Sequence, residues 1–213
     1  MHKPLMLSCS LLLTGQEAFA QTGWVGVTAG ATISTLVGPG TSIPPVISPL
    51  AGIVVGVYHT WPLRTKKSAL TLQPELLYSQ QGYRLTNAPT NYEARLRLHY
   101  VCLPVRLVFT YRGFFAAGGP QGGYLVGVSE RYTFQAPAGG GLQTHVNTDP
   151  SGRSRWDGAV VFGVGYCWPN GLGVEGRYTG SVNGIYPDKG ASPRANPRNA
   201  TLQIHVSYSL LKK

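Results

Sequence analysis

Charged side chains are scarce. Asp, Glu, Lys and Arg make up 12% of the 213 residues, against about one-quarter in an average chain. Acidic residues are rarer still, 8 against 18 Lys and Arg, which gives a net charge of +10. No apolar run reaches the 18 or so residues of a membrane-spanning helix. The A/E/K/L/R heptads of a coiled coil are missing, and no repeat of solenoid or propeller length occurs. With 43% hydrophobic residues, the composition also excludes a disordered chain, which needs low hydrophobicity and high charge. There are only 3 Cys, too few for the disulfide framework of a small secreted domain. What is abundant is 28 Gly, 16 Pro and 12 Tyr, the palette of an all-β chain with many turns. The length suits one domain.

Residues 1–20 read as a secretory signal peptide. Lys3 supplies the positive start, Leu5 to Leu13 a short apolar stretch, and Ala18-Phe19-Ala20 the small-residue cleavage site. The Ser8-Cys9 pair is preceded by too short an apolar stretch for a lipoprotein site. The expected domain is therefore residues 21–213, and losing Lys3 and Glu17 leaves its charge at +10. A basic chain invites nucleic-acid binding, but the export signal and the spread of cations over two ends exclude it. The surviving cysteines, Cys102 and Cys167, are placed on non-adjacent strands and expected unpaired.

Eight segments alternate with a period of two: residues 23–35, 51–61, 69–83, 95–110, 114–134, 155–168, 172–185 and 199–211. In the first, Val25, Val27, Ala29, Ala31 and Ile33 oppose Gly26, Thr28, Gly30 and Thr32. In the last, Leu202, Ile204, Val206, Tyr208 and Leu210 oppose Thr201, Gln203, His205 and Ser207. In the fourth, Val101 to Phe109 share one apolar parity and Leu96, Leu98 and Tyr100 the other, which predicts a bulge near residues 100–102. In the fifth, Tyr124, Val126 and Val128 are assigned to one face.

The connectors alternate between long and short. The short ones are turns: Trp61-Pro62, Arg112-Gly113 and Pro169-Asn170-Gly171. Residues 36–50, 84–94, 135–154 and 186–198 are long. Short periplasmic turns and long external loops mark a transmembrane barrel, and the segments reach the ~9–11 residues of a tilted membrane strand. The predicted fold is thus all-β: a closed antiparallel eight-stranded up-and-down transmembrane β-barrel, both termini periplasmic. Trp24, Tyr58, Trp61, Tyr111, Phe114, Tyr166 and Trp168 lie near segment ends, as an interfacial girdle does.

The basic residues fall at the two ends: Arg84, Arg95, Arg97, Arg131, Arg153, Arg155, Lys189, Arg194 and Arg198 toward the outer loops, and Arg64, Lys66, Lys67, Arg112, Lys212 and Lys213 toward the turns. The outer group suits lipopolysaccharide phosphates. Five mid-strand charges, Glu75, Arg106, Asp157, Glu175 and Arg177, share inward parity. A cation facing lipid at mid-depth costs ~2–4 kcal/mol, so these five are the candidate interior charge network. Inward Gly26, Gly30, Gly123, Gly163 and Gly165 leave a narrow wet path open as an alternative, making the chain a narrow channel or small-ligand binder.

Catalytic signals are few. His59, His99, His145 and His205 show no metal-ligand spacing, and no Cys-x-x-Cys, G-x-S-x-G, Walker loop or H-E-x-x-H occurs. Gly118 to Gly123 is read as a bend in a strand. His205 and Ser207 have the residue types of a lipid A-modifying enzyme, but they face inward. No enzyme, cofactor or metal site is expected. A soluble secreted barrel is the remaining rival.

Short pieces in order carry a resemblance: Gly26-Val27-Thr28-Ala29-Gly30, then Leu72-Gln73-Pro74-Glu75-Leu76-Leu77-Tyr78-Ser79 with Gly82-Tyr83, and Leu103-Pro104-Val105. Gly119-Pro120, Asp157-Gly158, Gly163-Val164-Gly165-Tyr166 and Val174-Glu175-Gly176-Arg177-Tyr178 follow. The chain resembles the small outer-membrane β-barrel proteins of the porin-family or PorT-like type. The resemblance implies an eight-stranded barrel in the outer membrane, in contact with lipid, lipopolysaccharide and the barrel assembly machinery. It implies no single activity and no particular protein partner. Such barrels usually end on an aromatic residue; this chain departs from that with Tyr208-Ser209-Leu210-Leu211-Lys212-Lys213.

Overall fold

A computed structural model describes residues 23–38, 46–63, 70–87, 92–135, 141–186 and 196–210. The signal-peptide reading, and Arg64, Lys66, Lys67, Lys189, Arg194, Lys212 and Lys213, lie outside them. Nine strands are formed: β1 Trp24–Val37, β2 Val46–Pro62, β3 Leu70–Asn87, β4 Tyr92–Tyr111, β5 Phe114–Gln135, β6 Leu142–Asn147, β7 Trp156–Cys167, β8 Leu172–Ser181 and β9 Arg198–Ser209. All pairings are antiparallel, and the β4–β5 pairing closes the ring β1-β2-β3-β4-β5-β7-β8-β9. The barrel is therefore closed and eight-stranded, so its ring has no unpaired edge.

The ninth strand, β6, corrects the reading of residues 135–154 as a plain connector. β7 begins opposite Tyr124, but β5 continues to Gln135. The last six residues of that edge are covered by β6, which pairs Asn147 to Leu142 against Glu130 to Gln135. Five of the six β6 residues are exposed, so it has no buried face to imprint an alternating pattern on the sequence.

Alternation in β4 runs unbroken from Ala94 to Phe109, which overturns the bulge expected near residues 100–102. The extra residue sits across the pair, in β5: His99 faces Gly127 and Tyr100 faces Leu125. Val126 is skipped, so Val128 turns inward, not outward as read from the sequence. The change of apolar parity in β4 has a different cause. Toward the loop end of the barrel, Leu96, Leu98 and Tyr100 fill the interior, while Arg95 and Arg97 face outward.

The outer wall carries a band of exposed apolar residues, among them Val27, Val55, Leu107, Phe162, Ile204 and Val206. Aromatic pairs bracket it. At the turn end Phe114 packs edge-on against Tyr166, ring centroids 4.9 Å apart; toward the loop end Tyr124 packs edge-on against Trp156, also at 4.9 Å. Both pairs are in register on β5 and β7, ten residues apart along each strand. Ten residues at ~3.3 Å, tilted by ~40°, span ~25 Å, the height of an outer-membrane apolar band. Trp61, Tyr111 and Trp168 are also exposed toward the turn end. Trp24 and Tyr58, expected in the girdle, instead face the interior at that end.

The short turns follow from their residues. Arg112 at φ 51° and Gly113 at φ 89° form the two-residue, doubly left-handed turn that suits strand twist. At the next, Asn170 Oδ1 accepts a bond from the Leu172 amide at 3.1 Å, and Gly171 takes φ 88°.

Candidate functional site

The interior has two storeys. Toward the loop end, Leu36, Val54, Leu77, Leu96, Leu98 and Leu125 belong to one buried apolar cluster. Below it stand charges. Glu75 on β3, Arg106 on β4, and Glu175 and Arg177 on β8 are 2%, 1%, 7% and 3% exposed. They belong to strands on opposite sides of the ring and meet in its middle.

Each Arg bridges both carboxylates. Arg106 donates from Nη2 to Glu75 Oε1 and from Nη1 to Glu175 Oε1. Arg177 donates from Nη1 to Glu75 Oε2 and from Nη2 to Glu175 Oε2, each at 2.9 Å. Gln73 Nε2 donates to Glu75 Oε1 at 2.9 Å. Two planar forks against two carboxylates satisfy most of the charged atoms and leave no net charge. Of the five inward charges read from the sequence, four form this tetrad. Asp157 stands outside it and accepts a bond from Ser181 Oγ at 2.8 Å, with Cys102 buried nearby.

Small residues make the tetrad possible. A Cβ on Gly163 would occupy the place of the Glu175 carboxylate, one on Gly26 the Tyr58 ring, and one on Gly165 the Phe115 ring. The space over these three inward glycines is thus filled by larger neighbours. Gly163→Val is expected to push Glu175 aside and destabilise the barrel by about 1–3 kcal/mol, read as a lower urea midpoint. Gly176→Val, where a Cβ meets no atom within 4 Å, is the control expected to leave the midpoint unchanged.

His205 joins a second polar chain that alternation located but did not connect. Its Nδ1 is 3.1 Å from Thr28 Oγ1 and its Nε2 is 2.7 Å from Gln203 Oε1. Both ring nitrogens are therefore engaged with residues other than Ser207. Among the described residues, no three His, Cys, Asp or Glu gather as metal ligands. Cys102 on β4 and Cys167 on β7 lie on strands that are not neighbours in the ring.

Outside, beyond the upper aromatic pair, is a row of arginines. Arg84 on β3 faces Arg95 on β4, which faces Arg131 on β5. Val101 lies level with Tyr124, and Arg97 and Arg95 follow four and six residues beyond it on the same face. Glu93 is shared by Arg84 at 3.3 Å and Arg95 at 2.6 Å. Like charges directly opposite across strands repel, and one carboxylate cannot balance the row. Sequence reading placed these cations near the loops; only the register shows that three stand side by side.

The family model described as outer membrane protein beta-barrel domain matches residues 19–186. Among solved structures, the fold is similar to that of Neisserial surface protein A (NspA). The TM-score is 0.50 and the identity 13%, covering 89% of this chain and 99% of that one. Ail, the attachment invasion locus protein of Yersinia pestis, gives a TM-score of 0.46 at 9% identity, covering 88% and 99%. The N-terminal β-barrel domain of Pseudomonas aeruginosa OprF gives 0.34 at 10%, covering 88% and 100%. At such identities the likeness bears on fold alone. No curated protein matches the sequence.

Proposed function

The chain belongs to the outer membrane protein beta-barrel domain family, and from that premise we propose that it is a non-enzymatic structural or interaction protein of the outer membrane, sealed inside and anchored outside to lipopolysaccharide. It is of the porin-family or PorT-like type, exported by a signal peptide cleaved after Ala20 and inserted by the barrel assembly machinery. Its turn end faces the periplasm and its long loops face outward.

The observation that carries the anchoring is the Arg84–Arg95–Arg131 register just beyond the apolar band. A phosphate between neighbouring guanidiniums would relieve their repulsion, and the planar fork of Arg suits it. Lipopolysaccharide presents phosphates at that depth. The sealed interior is supported by the neutral tetrad and by the apolar storey above it.

The test is unfolding in urea in two bilayers, one of phospholipid and one containing lipopolysaccharide. Lipopolysaccharide is expected to raise the midpoint of the unaltered protein. The triple variant Arg84→Gln, Arg95→Gln, Arg131→Gln is expected to lose most of that gain while keeping its midpoint in phospholipid. An equal gain in both proteins would contradict the reading.

A further inference from the structure

The tetrad closes the barrel in the middle, but the turn end below it is hollow. A cavity of about 170 Å³ opens there. Its floor is Glu75, Arg106, Glu175 and Arg177, and its walls include Thr28, Thr60, Thr110, Ser207 and Ser209. Tyr58 also lines it, its hydroxyl 3.0 Å from Ser209 Oγ. Trp24 and Phe115 contribute flat apolar surface.

We propose that this turn-end vestibule binds a small neutral hydroxylated molecule, a sugar unit or polyol, that enters from the periplasmic side. Charge decides against ions. The two Arg and two Glu of the floor satisfy one another, so a charged guest would lose its water and find no free counter-charge. The walls decide for hydroxyls. Thr and Ser side chains both donate and accept, which matches a guest whose own groups do both. The aromatic faces suit the C–H face of a sugar ring. The size fits one small ring, being below the several hundred Å³ of drug-sized sites. The apolar storey beyond the floor makes the vestibule a dead end, so the guest binds and leaves by the same mouth.

This rests on the sealed-barrel reading, and the experiment separates the two. The full mature chain, refolded in detergent micelles, is titrated with glucose and followed by saturation-transfer NMR. Glucose 6-phosphate and glucosamine serve as charged comparators. Saturable glucose binding is expected in the millimolar range, with both comparators about tenfold weaker or more. Thr60→Phe, which fills the wall, is expected to weaken glucose about tenfold or more. Ser209→Leu at the mouth gives a second test if Thr60→Phe does not fold, and the heat-dependent gel shift reports folding of each. Absence of saturable binding, equal binding of glucose 6-phosphate, or unchanged binding by a folded wall variant would overturn the vestibule. Ion conductance on the same sample reads the seal separately: a non-conducting barrel that ignores glucose loses only the vestibule, whereas a conducting one that binds glucose loses only the seal.

Discussion

Glu75→Ala is expected to destabilise the barrel by about 3–5 kcal/mol, the range for breaking one partner out of a buried ion pair. Glu75 accepts from Arg106, Arg177 and Gln73. Without it, two guanidiniums that are 1% and 3% exposed share the single carboxylate of Glu175. The cost is the uncompensated buried charge, not a sum of lost bonds. Removing an opposite charge as well should therefore recover stability. The double variant Glu75→Gln, Arg106→Met is expected to unfold at a higher urea concentration than Glu75→Ala, because charge balance returns. Equilibrium urea unfolding in phospholipid vesicles measures both. A Glu75→Ala loss under about 1 kcal/mol, the scale of an exposed pair, would mean the four charges are hydrated in solution.

Placing a cation in the middle of the outer band is expected to cost about 2–4 kcal/mol. Leu107 on β4 is exposed on the outer wall, between the level of Tyr124 at Val101 and the level of Phe114 at Tyr111. In water, an exposed Leu→Arg change is usually within about ±0.5 kcal/mol. In a bilayer, Leu107→Arg desolvates a guanidinium at mid-depth, so the penalty reports the lipid itself. The same substitution at Tyr111 falls in the lower girdle and is expected to cost about 0–1 kcal/mol. The measurement is the unfolding free energy of each variant in vesicles. Equal small costs at both positions would place the band in water.

The barrel was legible because lipid demands it. A face that meets hydrocarbon must be apolar, so Val25 to Ile33 and Leu202 to Tyr208 spell out the outer wall at every second position. The inward parity of Glu75, Arg106, Glu175 and Arg177 was legible for the same reason. Their convergence was not. Glu75 and Arg177 are 102 residues apart, and only ring closure brings β3, β4 and β8 to one point. Asp157 shares their parity but joins Ser181 higher in the barrel, because parity gives a face and not a depth.

Where the surroundings change, the pattern misleads. Beyond the upper aromatic pair the outside is no longer lipid, so Leu96 and Leu98 go inside and Arg95 and Arg97 outside. The resulting switch of apolar parity has the look of a bulge in β4, whereas the extra residue, Val126, belongs to β5. Trp24 and Tyr58 show the converse: both stand at strand ends, yet Gly26 leaves room for the Tyr58 ring inside the barrel. β6 left no pattern because it is exposed almost throughout.

Closure of the membrane barrel to solute by its own side chains is the property on which the proposed function rests. Its most direct test is current across a planar bilayer holding the refolded mature chain, with the heat-dependent gel shift showing that the protein is folded. No current steps above the bare bilayer are expected if the neutral tetrad and the apolar storey close the path of a solute. Steady, stepwise conductance from the folded unaltered protein would contradict that closure.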